Sequence, residues 1–142
     1  MHRHRRAVGA TAVVLLVVLC GQPALAGGGF TSYFRDWLPG TSSRTWNDSA
    51  RDANRTYIAL DGCRRRANPS LSVTLRIQLT KETPVYLPDK NLGRQDYACH
   101  ARKVTHSWAP QVGGSYHFTL THVNGSTQAP DKVSASEVGV VY

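Results

Sequence analysis

The clearest feature of the chain is a strict alternation of apolar and polar residues in LSVTLRIQLT, residues 71–80. A period of two places every second side chain on the same face of a β-strand. Four further segments alternate over shorter lengths: TYIALDG, QDYACHARKV, GSYHFTLTHV and KVSASEVGVVY. Pro, Gly and Asn separate these segments, and no long helical pattern occurs. We therefore predict an all-β fold, a small antiparallel β-sandwich.

An aromatic segment near the N-terminus has a different spacing. In FTSYFRDWL the aromatic residues recur at i, i+3, i+4 and i+7, as on one face of a helix: Phe30, Tyr33, Phe34 and Trp37. The dipeptide Pro39-Gly40 then ends the pattern. We expect residues 27–41 to form a flexible segment with this short aromatic helix, and residues 42–142 to form the β-sandwich domain.

Two further irregularities are predicted in the strands. In KVSASEVGVVY the alternation slips by one residue around Glu137, which predicts a β-bulge. The segment TPVYLPDKNLG contains Pro84 and Pro88. Because neither proline has an N–H to donate to a neighbouring strand, we expect a loop or an edge strand there.

The first 26 residues have the three parts of a secretory signal peptide: a basic start, an apolar run, and the cleavage sequence ALA at residues 24–26. The mature chain then begins at Gly27. The apolar run spans about 14 residues, fewer than the roughly 20 of a membrane-spanning helix. We therefore predict a secreted, extracellular protein with no transmembrane segment. A lipid anchor on Cys20 is the alternative, although Leu19 is larger than the residue that lipoprotein processing favours.

The mature chain keeps two cysteines, Cys63 and Cys99, and an even number in an oxidising compartment predicts one disulfide. A two-cysteine sandwich of this size resembles an Ig-like or jelly-roll-like domain in outline. Immunoglobulin domains carry a tryptophan between the two cysteines, and this chain has none there. The resemblance therefore concerns architecture alone.

The protein is basic, with a formal net charge of +8 that falls to about +5 without the three leader arginines. The disulfide would gather six cations from the two sides of the bridge: Arg64, Arg65, Arg66, Arg94, Arg102 and Lys103. Such a patch would bind an anionic envelope polymer, phospholipid head groups or nucleic acid. Nucleic acid fits least, because the chain has an export signal and no nucleic-acid-binding motif. A solvated charged loop is the alternative.

A polar cluster around one tryptophan, SSRTWNDSARDANRTY at residues 42–57, is the second candidate site. The indole of Trp46 would stack on a sugar ring while the neighbouring Asn47 and Asp48 bind its hydroxyls. The alternative is that Trp46 belongs to the core and the polar residues satisfy loop backbone before the next strand. The predicted ligand-binding residues are therefore Trp46, Asn47, Asp48, Arg64, Arg65 and Arg66.

Catalytic and metal-binding patterns do not occur in the sequence. There is no G-x-S-x-G motif, and the two cysteines are assigned to the disulfide. Neighbouring histidines of the mature chain are five or more residues apart, too far for two ligands of one ion on a strand. Asp52, Asn54 and Thr56 match the start of a calcium loop, but the Gly and the final Glu of that loop are missing. We predict no catalytic residue, no metal and no cofactor.

These observations predict a secreted, non-enzymatic protein that binds a glycan or an anionic polymer at the cell envelope. Either the Trp46 cluster or the arginine run would make the contact. A protein-directed secreted effector, such as an inhibitor or antibacterial factor, is the alternative. It would present exposed loops such as TPVYLPDKN to a protein partner.

Overall fold

The computed structural model describes residues 27–49 and 54–142, and the predicted signal peptide, with Cys20, lies outside these residues. The described residues form nine strands: β1 (Gly29–Trp37), β2 (Trp46–Asp48), β3 (Tyr57–Asp61), β4 (Arg64–Arg65), β5 (Leu75–Lys81), β6 (Lys90–Tyr97), β7 (Val104–Ser107), β8 (Gly114–Val123) and β9 (Val133–Val141). No helix is found among them. The predicted all-β class is confirmed.

The strands form two antiparallel sheets. The first sheet has the order β1-β9-β3-β7, and β4 also pairs with β9, directly beyond the end of β3. The second sheet has the order β2-β8-β5-β6. Strand β9 is thus the central strand of the first sheet, and its partners β1 and β4 lie on either side of it.

A single hydrophobic core lies between the two sheets. The alternating residues of β5 and β8 supply much of it, since Leu75, Ile77 and Leu79 are completely buried and so is Leu120, the partner of Ile77 on β8. Side chains from the two sheets meet there; the Tyr97 hydroxyl, for example, donates a hydrogen bond to the Ile58 carbonyl at 3.0 Å. Burial of each large apolar side chain contributes about 1.5–3 kcal/mol, so this core is the main source of stability.

The predicted disulfide is confirmed. Cys63 and Cys99 are bonded, with Cα atoms 5.2 Å apart, and both side chains are fully buried. The Cys63 N–H also donates to the Cys99 carbonyl at 3.0 Å. The bridge closes a loop with a sequence separation of 36 residues, which corresponds to roughly 3–4 kcal/mol in the loop-entropy treatment.

The predicted N-terminal helix is wrong, because its aromatic residues lie on strand β1. Strand β1 pairs with β9, so the sandwich begins before the predicted boundary at residue 42. Two register shifts interrupt this pairing, and Asp36 has a φ of 56° at the second of them. The extra residue there returns Trp37 to the face that carries Phe30 and Phe34, whereas Tyr33 is 62% exposed. A bulged strand therefore reproduces most of the spacing of a helix.

The β-bulge predicted near Glu137 is confirmed on the side of β9 that faces β1. Ser32 pairs with Val138 and Phe34 with Ala135, so β9 has one extra residue in this interval. On its other side, β9 keeps one continuous register with β3 and β4.

The segment QDYACHARKV is not the single strand that its alternation predicted. Strand β6 ends at Tyr97, the chain turns through residues 98–103, and β7 begins at Val104. Cys99 is drawn into the core by the disulfide, so the alternation continues through a turn. The segment TPVYLPDKN forms a loop up to Asp89, as predicted.

Candidate functional site

The arginine run begins at a sharp turn of the backbone. Gly62 has a φ of +61°, and a Cβ atom at this position would overlap the Ser136 hydroxyl. Glycine is therefore required between β3 and β4. The turn buries the side chain of Cys63 for the disulfide and places the next side chain, Arg64, in solvent.

Four arginines line one groove on the first sheet. The groove has a volume of about 490 Å³ and extends over β1, β9 and β4. Its cationic residues, which define the arginine groove, are Arg35, Arg64, Arg65 and Arg66. Tyr33 and Pro69 also line it, together with Ser134 and Ser136 of β9. Arg35 reaches this site because β1 and β4 flank the same strand, two strand spacings or about 10 Å apart.

Two of these arginines form ion pairs. The Arg65 Nε lies 2.5 Å from Asp131 Oδ2, and Asp131 also accepts a hydrogen bond from the Ala67 N–H at 3.2 Å. The hydrogen bond from Arg65 lowers the pKa of the Asp131 carboxyl. Arg66 pairs with Asp36 at 2.9 Å, where both side chains are exposed.

The other two arginines, Arg35 and Arg64, have no carboxylate within ion-pair distance among residues 27–49 and 54–142. Arg35 lies 5.2 Å from the centroid of the Tyr33 ring. The arginine groove therefore carries a surplus of positive charge from these two guanidinium groups. Each guanidinium has a planar set of N–H donors that suits two oxygens of a phosphate, sulfate or carboxylate.

The predicted gathering of six cations is wrong in part. Arg94 lies on β6 of the second sheet, and its Nε donates to the Gln78 side chain at 2.9 Å. Neither Arg102 nor Lys103 lines the arginine groove, and Lys103 forms an ion pair of 2.5 Å with Glu137. Strand β6, which leads directly to Cys99, lies in the opposite sheet from Arg64, and the disulfide joins the two sheets. Sequence reasoning missed Arg35, which comes close only through the pairing of β1 with β9.

Trp46 is a core residue with an exposed fraction of 5%. Its indole contacts four aromatic rings: Phe30, Tyr116, Phe118 and Tyr142. No ring face is left for a sugar, so the structure favours the core interpretation of this tryptophan. The indole Nε1 is buried and has no hydrogen-bond partner among the described residues.

The polar neighbours of Trp46 belong to the short strand β2, which pairs with β8. The Asn47 side chain accepts a hydrogen bond from the Ser115 hydroxyl at 2.7 Å, and Asp48 is buried. The three residues predicted as a sugar platform are therefore held by the sheet. They do not join the arginine groove, whose lining they are not part of.

The four histidines of the described chain each have a hydrogen-bond partner. His100 and His106 donate to backbone carbonyls, at 3.1 Å and 2.9 Å. His117 lies 3.0 Å from a Glu82 oxygen to which the Thr45 hydroxyl also donates. Within residues 27–49 and 54–142, no three His, Cys, Asp or Glu side chains come together as metal ligands.

Comparison with known protein families, with curated proteins and with solved structures finds no match to this chain. In the part of the chain that the structure describes, no helix has the length and hydropathy of a membrane span.

Proposed function

We propose that this protein is a secreted binding module that holds an anionic polymer of the cell envelope in the arginine groove. The observation that carries the proposal is the presence of Arg35 and Arg64, two guanidinium groups that face one groove without carboxylate partners among the described residues. The Trp46 side chain is 95% buried, so its indole does not offer a surface on which a sugar ring could stack. An anionic ligand therefore fits better than a neutral glycan.

The spacing of the cations favours a polymer over a single small ion. Arg64 and Arg66 are two residues apart along an extended chain, which places their Cα atoms about 7 Å apart. Arg35 lies across two strand spacings, about 10 Å away. A chain with repeated phosphate, sulfate or carboxylate groups would contact several of these side chains at once.

The arrangement of the ion pairs also supports a binding role. Arg65 is fixed by Asp131, which is largely buried, so the centre of the arginine groove is held in place before a ligand arrives. Arg66 and Asp36 are both exposed, and their attraction is correspondingly weak. An incoming anion can therefore replace Asp36 at Arg66 with little loss of stability.

A protein-directed effector is the second candidate, and one loop supports it. Three consecutive apolar side chains are exposed between β5 and β6: Val85 at 106%, Tyr86 at 81% and Leu87 at 53%. The Thr83 hydroxyl donates to the Leu87 carbonyl at 2.9 Å, and the backbone N–H of Thr83 donates to the Asp89 carboxylate at 3.0 Å. The loop is thus closed at its base and presents a convex apolar tip, which suits a pocket on another protein.

Co-sedimentation with cell walls, and titration with polyphosphate as a soluble polyanion, would test the leading proposal. The disulfide-intact protein is compared with Arg35→Gln and Arg64→Gln at low and high salt. We expect each substitution to weaken binding about tenfold at low salt, or about 1.4 kcal/mol. Each should also reduce the slope of log K against log salt by roughly 0.7–0.9 for every phosphate that the variant no longer neutralises.

Lys90→Gln is the matched control, because Lys90 is an exposed cation on β6 of the second sheet. It removes the same charge from the molecule without touching the arginine groove. Equal weakening by Lys90→Gln and Arg64→Gln would mean that net charge alone drives the association. Binding to neither cell walls nor polyphosphate would overturn the proposal and leave the apolar loop as the better candidate.

A further inference from the structure

A second concavity lies at the edge of the sandwich, between β1 and the segment that precedes β2. This aromatic slot has a volume of about 150 Å³. Its walls are apolar rings from both sheets: Phe30, Phe34, Trp37 and Phe118. Phe34 and Trp37 stack with ring centroids 4.4 Å apart, and Trp37 packs on Phe118 at 5.9 Å. The aromatic slot is therefore built from side chains that also belong to the core or pack against it.

The slot exists because a small residue occupies one position of β1. Residues 30, 32 and 34 share a face of the strand, and the middle position is Ser32. Its hydroxyl donates to the Tyr33 carbonyl, so it is not directed to a partner inside the slot. A serine leaves the space between Phe30 and Phe34 unfilled, and a larger apolar side chain would occupy it.

Arg44 is the charged residue of this slot. Its guanidinium lies 4.0 Å from the centroid of the Phe30 ring, and the side chain is exposed. None of the slot-lining residues is acidic, and Arg44 has no ion-pair partner among the described residues. A cation over the face of a ring is attracted to the ring, and a guanidinium with five N–H donors retains donors for an anion beside it.

We propose that the aromatic slot binds a small amphiphilic anion, with the apolar part between the rings and a carboxylate on Arg44. A cavity of this volume accommodates one benzene ring. A benzoate-like acid or a short-chain fatty acid therefore matches both the size and the charge of the site. A ligand of this size is expected to bind with a Kd on the order of 1 mM.

This site is separate from the arginine groove. Apart from Tyr33 and Phe34 of β1, which border both, the two sites share no lining residue. The four arginines of the groove do not line the slot, and Arg44 does not line the groove. Binding in the aromatic slot therefore does not depend on the proposed function, and either site can fail its test without the other.

The test is a titration of the isotope-labelled protein followed by amide and indole chemical shifts. Three probes of the same shape and different charge are compared: benzoate, benzamide and benzamidine. Benzoate should shift the Trp37 indole N–H and the Arg44 backbone amide, with benzamide weaker and benzamidine without effect. No shift at about 20 mM benzoate, well above the expected Kd, would overturn the proposal. Shifts confined to Arg35 and Arg64 would overturn it as well, because they would report an adventitious anion in the groove.

Two substitutions then separate the charge from the cavity. Arg44→Gln should weaken benzoate about tenfold, to the affinity of benzamide, and leave benzamide binding unchanged. Ser32→Ile should fill the space between Phe30 and Phe34 and abolish binding of both probes. Both positions are exposed, so the variants are expected to fold. Benzoate binding that survives Ser32→Ile, or that is unchanged by Arg44→Gln, would contradict the proposal.

Discussion

Trp46 provides the sharpest test of how this sandwich is held together. The side chain is 95% buried and contacts four aromatic rings that come from both sheets. Truncation of such a side chain to alanine removes its burial and leaves a cavity, at a combined cost of about 3–5 kcal/mol. A domain of this size has a total stability of about 5–15 kcal/mol. We therefore expect Trp46→Ala to lose between a fifth and all of the free energy of unfolding of the natural protein.

The indole Nε1 makes the comparison with Trp46→Phe informative. This donor is buried and has no partner among the described residues, and such a group costs about 1–3 kcal/mol. Phenylalanine buries less apolar area than tryptophan but also removes the unpaired donor. The two effects oppose each other, so Trp46→Phe should lie within about 1 kcal/mol of the natural protein.

Urea unfolding at neutral pH, with the disulfide intact, measures both variants against the natural protein. Thermal scans should show a fall in Tm of roughly 10–20 °C for Trp46→Ala. A loss of less than about 1 kcal/mol for this variant, with an unchanged m-value, would refute the assignment of Trp46 to the core. A cost for Trp46→Phe close to that of Trp46→Ala would instead show that the Nε1 donor is satisfied.

Two further predictions concern the cross-link and one ion pair. Replacement of both Cys63 and Cys99 by alanine should lower the free energy of unfolding, measured in urea, by roughly 2–5 kcal/mol. An unchanged urea midpoint would mean that the bridge does not constrain the unfolded chain. Arg65 lowers the pKa of the Asp131 carboxyl. The ion pair therefore stabilises the folded protein at pH values above about 4, the pKa of an aspartate in the unfolded chain, and this stabilisation is lost as the pH falls below that value and through the lowered pKa of the folded state. Asp131→Asn should therefore lower the Tm at pH 7 but match the natural protein near pH 2, and an equal deficit at both pH values would contradict the linkage.

For the long, clearly alternating strands β5, β8 and β9, the sequence pattern was sufficient to predict a strand. The alternation of residues 71–80 predicted β5, with buried Leu75, Ile77 and Leu79, although the strand begins only at Leu75 and Leu71 is exposed. The slip around Glu137 predicted a bulge, because an extra residue in a strand shifts every later side chain to the other face. The disulfide followed from counting, since two cysteines allow only one pairing.

The errors arose where pairing between distant strands overrides the local pattern. The bulge at Asp36 places Trp37 on the same face of β1 as Phe34, and the resulting spacing resembles that of a helix. The irregular pairing of β1 with β9 accounts for this spacing without a helix. The turn after Tyr97 contains no glycine or proline, and nothing in the local sequence marks it. Likewise, the contribution of Arg35 to the arginine groove depends on which strand separates β1 from β4, and a single sequence does not contain that information.

The irregular strands at the edges of this sandwich have a consequence for how copies of the chain behave together. The first sheet ends in β1, whose pairing with β9 has two register shifts, and in β7, which has 4 residues. The second ends in β2, with 3 residues, and in β6, which has a register shift of its own. A flat and continuous edge is what another molecule needs in order to add a strand. The described edges are short or irregular, so they are poor templates for edge-to-edge pairing with another copy of the chain.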